Sequence, residues 1–144
     1  MNLPTLFVPH GAPTFALRPG AAGAALARLG ATIPKPRAVL MVSPHWEMPS
    51  PTVGTADRLD TVHDFHGFPQ PLYEIRYPAT GCPEAAREVV QALREAGLPA
   101  GEAPAQGLDH GAWIPLRLMY PDADVPGIPL SLQSHEGVRG AYRL

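Results

Sequence analysis

"AVLMVSPHWE", residues 38–47, is the stretch on which the reading of this chain turns. Its first six residues are apolar or small and show no helical spacing, as expected for a short strand buried on both faces. The run ends at Pro44 and hands over at once to His45 and Trp46. The start of the chain repeats the pattern, with "TLFVP" (5–9) running into His10 and the turn-prone "GAP". Two apolar strands, each presenting one histidine at its tip, are therefore expected.

Outward from this pair, "GAAGAALARLGATI" (20–33) is rich in Ala and Leu with Gly at its ends, and is expected to be a helix. Strand, helix and strand at this spacing predict a parallel βαβ unit with the two histidine strands adjacent. "SPTVGTA" (50–56) is read as a further strand beside the second. "HDFHGFPQPLYEIRYPATG" (63–81) is aromatic, proline-rich and without a clean period, and is expected to be an ordered surface excursion. "PEAAREVVQALREAGLP" (83–99) is the clearest helix: Pro83 and Glu84 suit its first turn, and Gly97 and Pro99 stop it. Its apolar stripe is Ala86, Val89, Val90 and Leu93. "GLDHGAWIPLRLMYPDADVP" (107–126) places His110 at a turn before a short helical run, with Gly107 and Gly111 there to let the backbone turn tightly. "GIPLSLQ" (127–133) reads as a last strand, and 134–144 as the start of another helix.

These elements predict an α/β fold. Residues 1–144 form one sheet-centred, three-layer-like domain with a mostly parallel or mixed sheet, and no linker or repeat divides them. A chain of 144 residues can bury a real core. A net charge of −2 with only 11 basic residues gives no reason to expect nucleic acid or an anionic membrane as partner. No run is long and apolar enough to span a bilayer, and the N-terminus lacks the features of a signal peptide. One cysteine, Cys82, leaves no internal disulfide and no thiolate cluster, so a reducing, cytoplasmic setting is expected. The 19 prolines and 14 glycines are scattered among apolar runs, which suits short elements joined by stiff turns better than disorder.

The chemistry-bearing residues are six histidines, at 10, 45, 63, 66, 110 and 135. His66 and His135 read as ordinary surface or structural residues. His10 and His45 stand where ligands bind in open α/β sheets, beyond strand ends. Two imidazoles at one crevice suggest a divalent-ion site, and spacing alone leaves this beside a structural role. His110 is either a turn residue stacked on Trp113 or an acid/base group. His63 pairs with Asp64 or lines a rim. The nucleotide-binding, phosphate-binding, zinc-protease and nucleophile-elbow motifs are absent, and Ser43 and Ser134 have no evident triad partners.

"LFVPHGAPT", "VLMVSPHWE", "HDFHGFPQPLYEIRYPA" and "GLDHGAWIPLRLMYPDADVPGIPLSLQS" occur in that order. Together they resemble the class III extradiol ring-cleavage dioxygenases, in the branch similar to plant and bacterial 4,5-DOPA extradiol dioxygenases. The resemblance spans residues 5 to about 134. It implies a mononuclear non-haem site holding Fe(II), with Zn(II) in some bacterial relatives. His10 and His45 match the first and second metal ligands, and His110 the active-site histidine facing substrate and oxygen. The implied reaction opens a catechol-type ring with O2, and Phe65, Phe68, Tyr73 and Trp113 are candidates for an aromatic-friendly wall, some of them serving as core instead.

The family's third ligand and its base for proton abstraction are expected beyond Leu144, which makes this chain the N-terminal half of the catalytic domain. Within the chain, Glu47, Asp64 and His63 are the candidates to complete the metal sphere. An unfinished sheet would also expose apolar faces and edges, favouring a homo-oligomer. Two other functions stay open: zinc-dependent hydrolysis by the same histidines, and a non-catalytic metal-binding or self-associating fragment.

Overall fold

The computed structural model describes residues 3–144. Its elements, in chain order, are α1 (Gly20–Thr32), β1 (Val39–Glu47), β2 (Thr52–Gly54), α2 (Gln70–Glu74), α3 (Pro83–Glu95), β3 (Gly101–Ala103), α4 (His110–Met119), β4 (Gly127–Leu132) and α5 (Gly137–Ala141). Short 3-10 turns at Pro13–Ala16 and Ser134–Glu136 complete them.

The four strands form one mixed sheet in the order β1-β4-β2-β3. β1 runs parallel to β4, β2 parallel to β3, and β2 antiparallel to β4. This is the expected α/β, sheet-centred architecture. Two separate apolar clusters lie on its faces. Val39 and Met41 of β1 join Trp113, Ile114 and Leu116 of α4 on one side. Val53, Ile128 and Leu130 join Ala85, Ala86, Val90 and Leu93 of α3 on the other. α1 then packs against α4 as an outer layer. Period-two alternation in β1 turns Val39 and Met41 toward α4 and leaves Leu40 and Val42 on the opposite face.

Several expectations need correction. Residues 5–9 form no strand: Leu6 and Phe7 are exposed, and the place beside β1 belongs to β4. An apolar run reports the environment a segment favours, whereas a ladder needs a partner, and here that partner comes from far along the chain. β2 lies beyond β4 and not beside β1, for the same reason. Nor is β1 buried on both faces, since Leu40 and Val42 remain 46% and 49% exposed. α3 packs on β2, β3 and β4 and stops short of this edge strand.

The 63–81 segment is ordered but is no surface excursion. It sends Phe65, Leu72, Tyr77 and Ala79 into the core around Trp113. Tyr77 donates its hydroxyl hydrogen to the carbonyl of Tyr120 at 2.9 Å, satisfying a backbone acceptor just past the end of α4. α3 keeps the predicted start at Pro83 and ends before Gly97, whose φ of +81° suits only glycine without strain. The 134–144 tail contains the short helix α5, as expected.

Candidate metal centre

β1 does not end at Pro44. It continues to Glu47, but its register against β4 slips between Val42, opposite Leu130, and Glu47, opposite Leu132. Five steps along β1 are thus matched by two along β4, a pronounced bulge. Proline has no N–H to donate to a ladder, and bulges re-aim the side chains they carry. His45 sits on this bulge, between the two paired stretches of β1. His10 arrives on the extended N-terminal segment, turned by Gly11 at φ +62°, a conformation that side-chain-bearing residues rarely adopt. His110 is the first residue of α4.

The three imidazoles converge. The Nε2 atoms of His10 and His45 are 2.9 Å apart. Ring centroids are 4.9 Å apart for His10 and His45, 5.5 Å for His10 and His110, and 4.1 Å for His45 and His110. One potential ligand atom from each residue lies within 4.8 Å of the other two. Two nitrogens held about 2.1 Å from one ion at a right angle would be separated by about 3.0 Å, so this spacing suits a single small cation. Neutral imidazole is a suitable donor for Fe, Zn or other divalent first-row ions. The donor set therefore fits a mononuclear metal. Burial, and next His45, lower the pKa of His10 below its ordinary value of 6.5, while Asp109 and Asp64 oppose the shift. Neutral, ligating imidazole is the form so favoured.

Asp64 does not join this cluster. Its Oδ1 accepts the backbone N–H of His110 at 2.9 Å, and its Oδ2 lies 2.9 Å from Nδ1 of the same residue. A carboxylate can only accept there, so Nδ1 carries a hydrogen, and in the neutral imidazole the lone pair is on Nε2. The local chain path explains the contact. Thr61 bridges to Leu108, the Val62 N–H donates to the Leu108 carbonyl at 2.8 Å, and Trp113 Nε1 donates to the Val62 carbonyl at 3.0 Å. The 60–64 segment is thereby laid along the N-terminal turn of α4.

The other two candidates for a third ligand also lie outside the cluster. Glu47 accepts from the Ser134 hydroxyl at 2.6 Å, and His63 Nε2 is 3.1 Å from the Ile75 carbonyl. His63 therefore does not pair with Asp64. Its position has the same origin as that of Asp64: the 63–81 segment packs inward, and each polar group takes the nearest backbone or imidazole partner. His66 and His135 are exposed, as expected. Among the aromatic candidates, Phe65 is buried and meets His110 edge-on at 5.7 Å, and Phe68 and Tyr73 pack behind it. Trp113 is wholly buried core.

Two residues at the cluster have no role in the sequence reading. Ser43 and Asp109 are both buried, and the Ser43 hydroxyl donates to Asp109 Oδ1 at 2.5 Å. The only sequence signal for them is position: each lies within two residues of a histidine. Gly111 is helical and serves proximity, not a turn. A Cβ there would come within 2.5 Å of Ser43 Oγ and 2.8 Å of His45 Cδ2.

An α/β domain that gathers three imidazoles beside a sheet edge has the donors of a mononuclear metalloprotein. Residues 22–144 match the family described as "Catalytic LigB subunit of aromatic ring-opening dioxygenase", and the chain belongs to that family. It is 41% identical to a protein of Beta vulgaris named 4,5-DOPA dioxygenase extradiol, across 97% of this chain and 54% of that one. It is also 41% identical to a protein of the same name from Escherichia coli K12, across 92% of this chain and 49% of that one. The crystal structure of an uncharacterized Escherichia coli K12 protein superposes with a TM-score of 0.63 at 34% identity, covering 81% of this chain and 42% of its own. The chain thus spans about half the length of the curated relatives it matches.

Proposed function

We propose that this chain carries the metal-holding and substrate-facing part of an extradiol dioxygenase that opens a catechol-type ring, DOPA or a related diol, with O2. His10 and His45 hold the ion, Fe(II) or Zn(II), and His110 faces the substrate. The observation that carries this reading is the meeting of the three imidazoles within 4.8 Å in a chain of this family. The names of the Beta vulgaris and Escherichia coli relatives support the substrate class.

When bound, a ferrous ion with open coordination positions would accept both diol oxygens and O2 and pass electron density between them. The protein's part is positional and protonic. Asp64 fixes the tautomer of His110, so that Nε2 is an acceptor for a diol hydroxyl hydrogen or a donor once protonated. Buried Phe65 packs edge-on beside His110 and makes that flank of the imidazole apolar.

The test is anaerobic loading with Fe(II), followed by DOPA or catechol and then O2. A ring-opened yellow semialdehyde that forms only with O2 supports the reading. Turnover of an ester or amide without O2 by the zinc-loaded chain, with no catechol consumption, contradicts it.

A further inference from the structure

We infer that Ser43 and Asp109 are positioning residues that hold the β1 bulge against the N-terminus of α4 and so set the spacing of His45 and His110. The inference rests on the metal-centre reading and deepens it.

The bulge needs such a device. Between Val42 and Glu47 the β1–β4 register gives no residue pairing, so the ladder does not fix the segment that carries His45. Pro44 removes a backbone donor in the middle of it. What spans the gap is the Ser43 side chain. Its hydroxyl donates to Asp109 Oδ1 at 2.5 Å and accepts the backbone N–H of His45 at 3.2 Å. One oxygen therefore ties the histidine on the sheet edge to the helix that begins with the other histidine.

Asp109 points to the same conclusion. It is the residue before α4, with extended backbone (φ −71°, ψ 170°), the position at which an aspartate ordinarily caps its own helix. It makes no such cap hydrogen bond. Asp64 accepts the His110 N–H instead, which leaves Asp109 for Ser43. Both members are buried, at 4% and 6% exposure, so the bond is shielded from water. Gly111 completes the arrangement, because a side chain there would push Ser43 and His45 away.

The experiment measures Zn(II) affinity by competition with a chromophoric chelator, and the urea stability of the metal-free protein, for the unaltered chain and for S43A, D109A, D109N and H45A. Residues that hold metal ligands in place typically contribute about 10- to 100-fold to affinity. S43A and D109A are expected to weaken Zn(II) binding by about tenfold or more in fully folded protein. D109N keeps a carbonyl oxygen for the Ser43 hydroxyl and is expected to retain most of the affinity. A purely structural role would lower the urea midpoint and leave the affinity of the folded protein unchanged, and that result overturns the inference, as does a D109N loss equal to that of D109A. If D109A does not fold, S43A and D109N decide the matter. H45A separates the two levels. Loss of Zn(II) binding in H45A with unchanged binding in S43A defeats the positioning role alone, whereas unchanged binding in H45A defeats the metal-centre reading beneath it.

Discussion

Asp64 commits both carboxylate oxygens to one residue, His110, through its backbone N–H and its Nδ1. Removing it deletes two hydrogen bonds to a charged acceptor, worth about 1.5–3 kcal/mol each in full, with water at this exposed residue replacing part of the loss. Asp64→Ala is therefore expected to lower stability by about 2–3 kcal/mol in urea unfolding. His10 gives a second prediction at this scale. Its pKa is lowered from 6.5 by burial and by His45, so above 6.5 it is neutral whether folded or unfolded and contributes no pH dependence. As pH falls below 6.5 the unfolded chain takes up the proton first, and stability from this group is lost until the lower folded pKa is passed. Protons compete with the metal for folded His10 only as its lowered pKa is approached, so the His10 contribution to Zn(II) affinity is expected to persist at pH 6.5 and to be lost in more acid solution. His10, His45 and His110 were legible as candidates because each follows an apolar or glycine-flanked stretch. Asp64 was visible only as a candidate ligand or a partner for His63, since nothing in "VHDFHG" shows that its oxygens reach a helix start 46 residues away.

Among the elements, β1 and the first turn of α4 carry two of the three imidazoles, and Gly111 is one point at which they touch. Gly111→Ala places a methyl group 2.5 Å from Ser43 Oγ and 2.8 Å from His45 Cδ2. Overpacking of this kind typically costs about 1–3 kcal/mol. The variant is expected to lose stability in that range and, because His45 must shift, to bind Zn(II) more weakly in the same preparation. α1, α3 and β4 were readable from local pattern, with Pro83 starting α3 and Gly97 closing it. The partner of β1 was not. Periodicity marks residues 5–9 and 127–133 equally as apolar runs, and only packing decides which one pairs with 38–43. The bulge at Pro44–Trp46 was unreadable for a related reason: the sequence shows a proline breaking a strand, while the structure keeps the strand and slips its register.

Across the whole molecule, Tyr77 ties the 63–81 segment to the end of α4 within the core cluster they share. Burial, reinforced by Asp124 and Tyr120, pushes its phenol up to about 12 from the usual 10. A raised folded pKa means full stabilisation below pH 10, lost as pH rises from 10 toward 12. Tyr77→Phe is expected to lower stability near neutrality by about 1 kcal/mol and to flatten this alkaline loss, as read from urea midpoints between pH 8 and 12. The three-layer α/β plan followed from the sequence because it depends on the number and kind of elements. The strand order, and the edge position of β1 with Leu40 and Val42 uncovered, depend on long-range pairing that no local pattern encodes. Among the described residues no helix is long and apolar enough to cross a membrane. The central proposal at this scale is that the fold brings His10 and His45 onto one ion with His110 beside it. Zinc-edge X-ray absorption on the loaded chain tests it most directly. One Zn(II) per chain, with at least two imidazole nitrogens at about 2.0–2.1 Å that disappear in His45→Ala, is the predicted result. A signal without imidazole scattering, or one unchanged by His45→Ala, would contradict the account.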